Sequence, residues 1–304
     1  MSRLIKLFNR DQRFLWLAYH GFYNGMTDRE YLERKFKAVV GYPLNLDNPQ
    51  TFNEKLQWLK LHDRKPIYTT MVDKYEAKAY AASIIGEQYI IPTLGVWDRF
   101  EEIDFAKLPE RFVLKCTHDS GGLVICRDKA KLDIDAARAK INGSLKHNYY
   151  YKSREWPYKD VKPRIIAEAF MEDPDSPGGL NDYKLQCFDG KFDNIFVAEG
   201  RFSQRGVRYH YFDRDWKYIP YSSHENLNVN ALDVLRPKCY EEMIEIAEKL
   251  SEGLPQLRVD LYEIEGKVYF GELTFYSQSG FDTTITHEAD NILGSKLTLP
   301  ALDY

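Results

Sequence analysis

Leu257-Arg258-Val259-Asp260-Leu261 and Tyr269-Phe270-Gly271-Glu272-Leu273-Thr274-Phe275, joined through Glu265-Gly266, form the stretch on which the fold turns. Apolar and polar residues alternate in both arms, the period of a β-strand with one buried face. An odd number of loop residues groups Leu257, Val259 and Leu261 with Tyr269, Leu273 and Phe275, and leaves Arg258, Asp260, Glu272 and Thr274 together on the other face. An even loop turns Glu272 onto the apolar face, where an unpaired carboxylate is costly. The pattern therefore predicts a loop of about three residues, with Gly266 in the left-handed position of a bulge and the two acids side by side. Such acids repel unless a cation intervenes, and hard oxygen ligands suit Mg²⁺ bridged to phosphate oxygens. A salt-bridge network around Arg258, without a metal, is the alternative reading.

Upstream, Tyr183 to Phe188 reads as a strand turned by Asp189-Gly190 into a second strand, Lys191 to Val197. Asp-Gly between two such runs is a hairpin signal; Lys184 on the first arm either reaches a phosphate or acyl phosphate or is an exposed strand lysine, the commoner case. Before it, Arg164 to Glu168 reads as a strand running into Ala169-Phe170-Met171-Glu172-Asp173. Such a segment offers backbone groups for an adenine edge, apolar side chains such as Phe170 for its faces, and acids, Glu168 and then Glu172, for ribose hydroxyls.

Earlier still, Phe112 to Lys115 and Leu123 to Cys126 are strands joined by a loop ending Ser120-Gly121-Gly122. Lys115 puts a point charge beside backbone N–H groups that an anion can approach without Cβ hindrance, which suits polyphosphate. An ordinary turn is the alternative. The Lys precedes the glycines and no helix starts directly after them, so the loop departs from the Walker pattern. His118 within it either donates to phosphate or lies on the surface.

Around these strands the pattern is helical: up to about Lys60, with Asp28 to Val40 charged and amphipathic, then Met71 to Ile84, Ile134 to His147 and Tyr240 to Leu250. Thr51-Phe52-Asn53-Glu54 fits a capping box ahead of a helix from Lys55 to Leu61. Mixed elements with antiparallel hairpins predict an α+β architecture rather than a doubly wound parallel sheet. The natural division is an N-terminal helical region over 1–62, a linking lobe over 63–110, a central lobe over 111–178 and a C-terminal lobe over 179–304.

The chain has 304 residues, a formal net charge of -4, 22 Tyr and 17 Phe. Its acidic balance argues against nucleic acid as a partner, and the aromatics suit clefts for sugars or nucleotides. Four Cys at wide spacings give neither a disulfide framework nor a metal-binding pattern, as expected of a reducing cytoplasm. Leu4 to Tyr23 is rich in Leu, Phe and Trp, but charges interrupt it before a signal core forms, and no stretch approaches the ~20 apolar residues of a membrane span. Packing on the body of the protein is the expectation for this segment; peripheral contact with the inner face of a membrane is the alternative.

The order of these pieces resembles the ATP-grasp superfamily, in which two α+β lobes hold ATP between them: lysine with a small-residue loop, strand ending in Glu, lysine-bearing strand, Arg-x-Asp and Glu-x-Thr hairpin. More narrowly, Asn181-Asp182-Tyr183-Lys184-Leu185-Gln186-Cys187-Phe188-Asp189-Gly190-Lys191 and Glu272-Leu273-Thr274-Phe275-Tyr276, with Thr51 to Lys55 upstream, resemble the TupA-like ATP-grasp family. That family is linked to teichuronopeptide and other cell-surface polysaccharide biosynthesis.

The resemblance implies ATP and Mg²⁺ as cofactors. Lys115 with Ser120, Gly121 and Gly122, and Lys184, would contact phosphates; Glu168, Phe170 and Glu172 would hold adenosine. Asp260, Glu272 and Thr274 would bind the metal, with Thr274 standing where other superfamily members carry Asn. Arg258 and Lys184 would be catalytic, stabilising the transferring group. The implied reaction activates a carboxylate as an acyl phosphate and passes it to an amine, the acid being a hexuronic acid of a glycan or an amino acid, with a glycan or lipid-linked sugar as acceptor. Ser277 and Ser279, in the acceptor-side loop, would orient the carboxylate. On their residue types alone, Arg205 and Arg208, with Tyr209 to Tyr211, either meet an anionic sugar or belong to a solvated, disordered loop. Ala at Asp260 or Glu272 is expected to abolish ATP turnover with the fold intact. Two rivals remain. Asp213-Arg214-Asp215 has the spacing of a nucleotide-sugar glycosyltransferase, although Asp213 to Lys217 also reads as a hairpin turn; the other rival is a nucleotide-binding module without catalysis. His287 is the remaining histidine of interest.

Overall fold

The computed structural model describes residues 9–173, 180–199, 208–223 and 234–302. Helix α1 (Arg10–Tyr19) opens on Asn9, whose side chain accepts from the backbone of Asp11 at 2.9 Å, and α2 (Asp28–Val40) ends at Gly41, φ +96°, a left-handed cap that a Cβ would strain. The two pack through Phe14, Leu32 and Phe36 onto Phe281. α3 (Phe52–His62) carries the expected capping box: Glu54 accepts from Thr51 N at 3.1 Å, and the Thr51 hydroxyl accepts from Glu54 N at 3.2 Å. Among the described residues no helix is long and apolar enough to cross a membrane.

One helix was expected from Met71 to Ile84; two form, α4 (Ile67–Val72) and α5 (Glu76–Ile85). The break is Asp73. Its carboxylate accepts from Tyr75 N at 2.8 Å and Glu76 N at 3.3 Å, and Arg164 fixes it at 2.8 Å, so a side-chain cap replaces the continuing helix.

β1 (Thr93–Trp97), β2 (Phe112–Cys116), β3 (Leu123–Cys126), α6 (Ile134–Leu145), α7 (Tyr150–Ser153) and β4 (Ile165–Ala169) build the central lobe, an antiparallel sheet in the order β1-β4-β2-β3. Phe112, Leu114 and Cys116 bury against Ile165, Ala167 and, from α6, Ala137 and Ile141. The pleat therefore turns Val113, Lys115, Ile166 and Glu168 to the opposite face.

β5 (Asp182–Phe188), β6 (Lys191–Glu199), β7 (Arg208–Phe212), β8 (Tyr218–Ile219), α8 (Tyr240–Ser251), β9 (Gln256–Ile264) and β10 (Lys267–Thr274) give a second antiparallel sheet, β10-β9-β5-β6-β7-β8, before α9 (His287–Lys296) closes the described chain on α3. Leu185 and Cys187 of β5 and Leu257, Val259 and Leu261 of β9 share a core with Met243, Ile244, Ala247 and Leu250 of α8. The architecture is α+β, as the hairpin pattern predicts.

The β9–β10 hairpin corrects one expectation. Its loop is two residues, Glu265 and Gly266, at φ +51° and +73°, an even turn whose left-handed pair matches the strand twist. Parity is recovered further along: the register slips between Phe270 and Glu272, leaving Gly271 as a bulge and Glu272 directly opposite Asp260. A Cβ at Gly271 would stand 2.8 Å from the Asp260 carbonyl oxygen and 3.0 Å from the Tyr262 ring, so the bulge needs glycine. The two acids share a face as expected, by a different device.

Candidate active site

Alternation along three neighbouring strands assembles the polar face of the larger sheet. Lys184 of β5 stands across from Asp260 of β9, Gln186 across from Arg258, and Asp260 across from Glu272 of β10. Asp260, 1% exposed, accepts from Arg258 Nε at 2.6 Å and Nη2 at 2.8 Å, and from Lys184. Lys184 also meets Asp182 at 2.8 Å. Arg258 extends the network to Glu272 (3.4 Å), Thr274 Oγ1 (3.0 Å) and Ser277 Oγ (3.3 Å). Burial opposes ionisation of Asp260, yet the Arg258 and Lys184 charges overcome it and hold the carboxyl down to about 2.

Whether these residues fit a divalent cation follows from charge and donor type. Asp182, Asp260 and Glu272 exceed Lys184 and Arg258 by one negative charge. The carboxylates are hard oxygen donors on rigid strands, and the Glu272 side chain, 43% exposed, opens toward solvent. The set fits Mg²⁺. The Thr274 hydroxyl oxygen, by contrast, accepts a hydrogen bond from Arg258 Nη2 at 3.0 Å, and its O–H donates to Glu272 at 3.5 Å.

On the central lobe, Lys115 Nζ and Lys78 Nζ of α5 both lie 2.5 Å from the buried Glu168 carboxylate. Glu168, expected beside ribose hydroxyls, here orders two lysines. Phe170 lies between the Arg111 and Arg127 guanidinium groups (4.9 and 5.2 Å), and the exposed Glu172 pairs with Arg111 at 2.6 Å.

The glycine loop is braced from three sides. Lys74 donates to the Asp119 carbonyl, the Asp119 carboxylate accepts from Gly122 N at 3.1 Å and from Ser144, and a Cβ at Gly122 would strike Cys116 Sγ at 2.5 Å. At Gly121 the space is open apart from Asp119 at 3.8 Å. His118 is buried rather than on the surface: its Nε2 meets the Ser144 and His147 carbonyls at 3.2 Å, tying the loop to the end of α6. His287 is exposed at the start of α9, edge-on to Tyr42.

Two tyrosines connect the lobes. The Tyr149 hydroxyl lies beside Ser120 and in the fields of Asp119 and Glu272; burial, with the charge of Glu155, pushes its pKa up. Tyr158 is raised for the same reasons and feels both Glu272 and Arg258. The loop after Lys115 thus approaches the acidic hairpin. Ser279, at φ +55°, donates to the buried Glu155 at 2.6 Å, and its carbonyl accepts from the wholly buried Lys60 at 2.7 Å. Arg205 lies outside the described residues; Arg208 begins β7, paired with Glu199, and its side chain lies outside the description too. Asp213 and Asp215 are consumed in the β7–β8 turn, where the Asp213 carboxylate accepts from Asp215 N at 2.9 Å and Lys217 N at 2.8 Å.

Sequence reasoning passed over Lys74, Lys78, Tyr149 and Tyr158. The lysines sit in an ordinary-looking helical run, and the tyrosines acquire meaning through contacts distant in sequence.

A lysine-bearing sheet and glycine loop approaching a sheet that bears paired acids is the arrangement of the ATP-grasp class. The family described as TupA-like ATPgrasp matches residues 54–298. The chain belongs to the TupA-like ATP-grasp family. Similar solved structures include D-alanine–D-alanine ligase from Bacillus anthracis complexed with ATP, at 15% identity and TM-score 0.39, covering 68% of this chain and 55% of that one. The ATP-grasp ligase PsnB complexed with a minimal precursor is 10% identical, TM-score 0.42, covering 92% and 74%. D-cycloserine synthetase DcsG is 16% identical, TM-score 0.41, covering 77% and 72%. This chain thus spans little more than half, 55%, of the Bacillus anthracis ligase with ATP. No curated protein matches by sequence.

Proposed function

We infer that the protein is an ATP-dependent carboxylate–amine ligase acting on a uronic acid of a cell-surface polysaccharide and joining it to an amino acid or another amine. The observation that carries this reading is the pairing of Asp260 and Glu272 on one face with Arg258 and Lys184, in a chain of the ATP-grasp class.

The substrate carboxylate oxygen attacks the γ-phosphorus of ATP, the bond to the β-phosphate oxygen breaks, and ADP leaves. The amine then attacks the acyl carbon, phosphate departs, and the amine loses a proton as the amide forms. No serine or cysteine nucleophile is required, because catalysis rests on positioning and charge. Lys115, kept ordered by Glu168, and Lys184 offer ammonium groups to phosphate oxygens. Arg258, anchored bidentately on Asp260, directs its remaining donors toward Glu272, Thr274 and Ser277, where a transferring group would gather negative charge. Mg²⁺ held by Asp260 and Glu272 would supply charge neutralisation to the phosphates. Gly121 lets the loop backbone approach them closely.

The test offers ATP and Mg²⁺ with a panel of uronic acids and amino acids, and reads phosphate release together with hydroxylamine trapping, which converts an acyl phosphate to a hydroxamate. Hydroxamate formed with a uronic acid is the expected result. UDP-sugar consumption without phosphate release would point to the transferase, and tight ATP binding without turnover across the panel to a binding module; either would sink the ligase.

A further inference from the structure

A cavity of about 860 Å³ lies between the N-terminal helices and the segment that joins α6 to α7. It is larger than one sugar ring needs and within the range of specific ligand sites. Its inner end reaches Asp119 and Gly121, in the loop whose Ser120 meets Tyr149. Exposed Tyr19 of α1 lines it together with Tyr149 and Tyr151.

The charge around it is one-sided. Lys35, Lys146 and Lys152 line the cavity with His20 and His147, and Asp119 is the sole acid among the lining residues, in a chain whose formal net charge is -4. Asp119 itself is turned inward onto Gly122 and Ser144. Lys35 is fixed in the wall, donating to the Lys152 carbonyl at 2.6 Å and Ser153 Oγ at 3.0 Å. Lys146 and Lys152 are exposed, and among the described residues neither is ion-paired. Tyr19 and Trp16 stand 80% and 55% exposed on α1, flat faces beside a cationic hollow.

α1 and α2 lie ahead of the segment the family match covers, yet they are built into the body. Arg154, 1% exposed, donates to the carbonyls of Tyr23 (2.7 Å), Asn24 (3.2 Å) and Met26 (3.1 Å), and Asp28 pairs with Arg64 at 2.7 Å. A buried guanidinium spent on holding α1 in place makes the cavity a fixed feature of the fold.

We propose that this cavity seats the acid substrate, an anionic saccharide of hexuronate units, with the reacting carboxylate toward the glycine loop, a neighbouring uronate against Lys146 and Lys152, and Tyr19 stacked on a sugar face. The proposal rests on the ligase reading for which end reacts; the recognition itself follows from charge and aromatic lining.

Calorimetric titration of the full chain with galacturonic acid tetrasaccharide, alongside galacturonic acid and maltotetraose, tests it. The tetrasaccharide should bind, the monomer more weakly, and maltotetraose at least about tenfold more weakly than the tetrasaccharide. Lys146→Ala with Lys152→Ala should weaken tetrasaccharide binding by about tenfold or more, and Tyr19→Ala by severalfold, with wild-type melting temperatures. No tetrasaccharide binding, equal affinity in the folded double variant, equal affinity for maltotetraose, or a charge dependence that appears on anionic lipid vesicles instead would each overturn it. Uronate binding sensitive to the variants without hydroxamate from any acid would sink the ligase and leave the pocket standing. Hydroxamate from another acid, with no uronate binding, would do the reverse.

Discussion

Asp260 and Glu272 face each other across one pair of strands, yet removing them should have unlike consequences for stability. Asp260→Asn keeps the shape but leaves Arg258 and Lys184, 10% and 6% exposed in their side chains, without their shared counter-charge. Breaking a buried pair in this way costs about 3–5 kcal/mol. Glu272→Gln removes a carboxylate that is 43% exposed and 3.4 Å from Arg258, a screened contact worth under about 1 kcal/mol. Urea unfolding followed by tryptophan fluorescence reads the first quantity and Mg²⁺-dependent phosphate release the second: both variants should lose turnover, and the Asn variant alone should lose stability. The pH dependence has a definite sign. The folded Asp260 carboxyl sits near about 2 against an ordinary 3.8, so its contribution is present above about pH 4 and disappears as pH falls through about 2. The deficit of Asp260→Asn should therefore be full at about pH 5 and shrink in more acid solution. An Asn variant as stable as wild type at neutral pH, or a deficit that grows in acid, would refute the buried network; a Gln variant with undiminished turnover would refute the metal role of Glu272.

Gly271→Ala should cost about 1–3 kcal/mol in urea unfolding, because its Cβ would lie 2.8 Å from a backbone oxygen, and should lower turnover by disturbing the bulge that faces Glu272 toward Asp260; wild-type values for both would show that the strand accommodates the methyl group. Arg154→Ala should free the N-terminal helices from the body, so limited proteolysis should cut near residues 21–27 in the variant well before wild type, and unchanged cleavage would show that the apolar contacts of Phe14 and Phe36 suffice to hold them.

Alternation made the late hairpin legible, because a period of two leaves few ways to hide Leu257, Val259 and Leu261 together. It could not locate the extra residue that sets parity: a three-residue loop and a two-residue loop with a bulge at Gly271 agree on the faces of Glu272, Leu273 and Thr274, but the second buries Val268 and Phe270 where the first expected Tyr269. Local capping chemistry was equally readable at Thr51 and Glu54. The break at Asp73 was not, since the cap is held by Arg164 from a strand 91 residues away. The same limit hid Lys78: nothing near it in sequence announces that its ammonium meets Glu168. His118 illustrates the converse, a polar loop residue that burial claims because two carbonyls at the end of α6 need a donor.

The two lobes carry opposite electrostatic surpluses, and this division is what a metal–triphosphate complex would require. Lys78 and Lys115 meet one carboxylate, Glu168, so the central sheet retains a positive charge in excess; Asp182, Asp260 and Glu272 meet Lys184 and Arg258, so the larger sheet retains a negative one. The strands that carry Lys115, Glu168 and the three acids have their other face locked into a hydrophobic core, and Lys78 reaches the first group from α5, so neither lobe can relieve its surplus by turning a strand side chain inward. Phosphate oxygens drawn to the first and a divalent cation drawn to the second would neutralise both at once. Tyr149 lies beside Ser120 of the glycine loop and in the field of Glu272, so the loop and the acidic hairpin share one neighbour where the lobes approach.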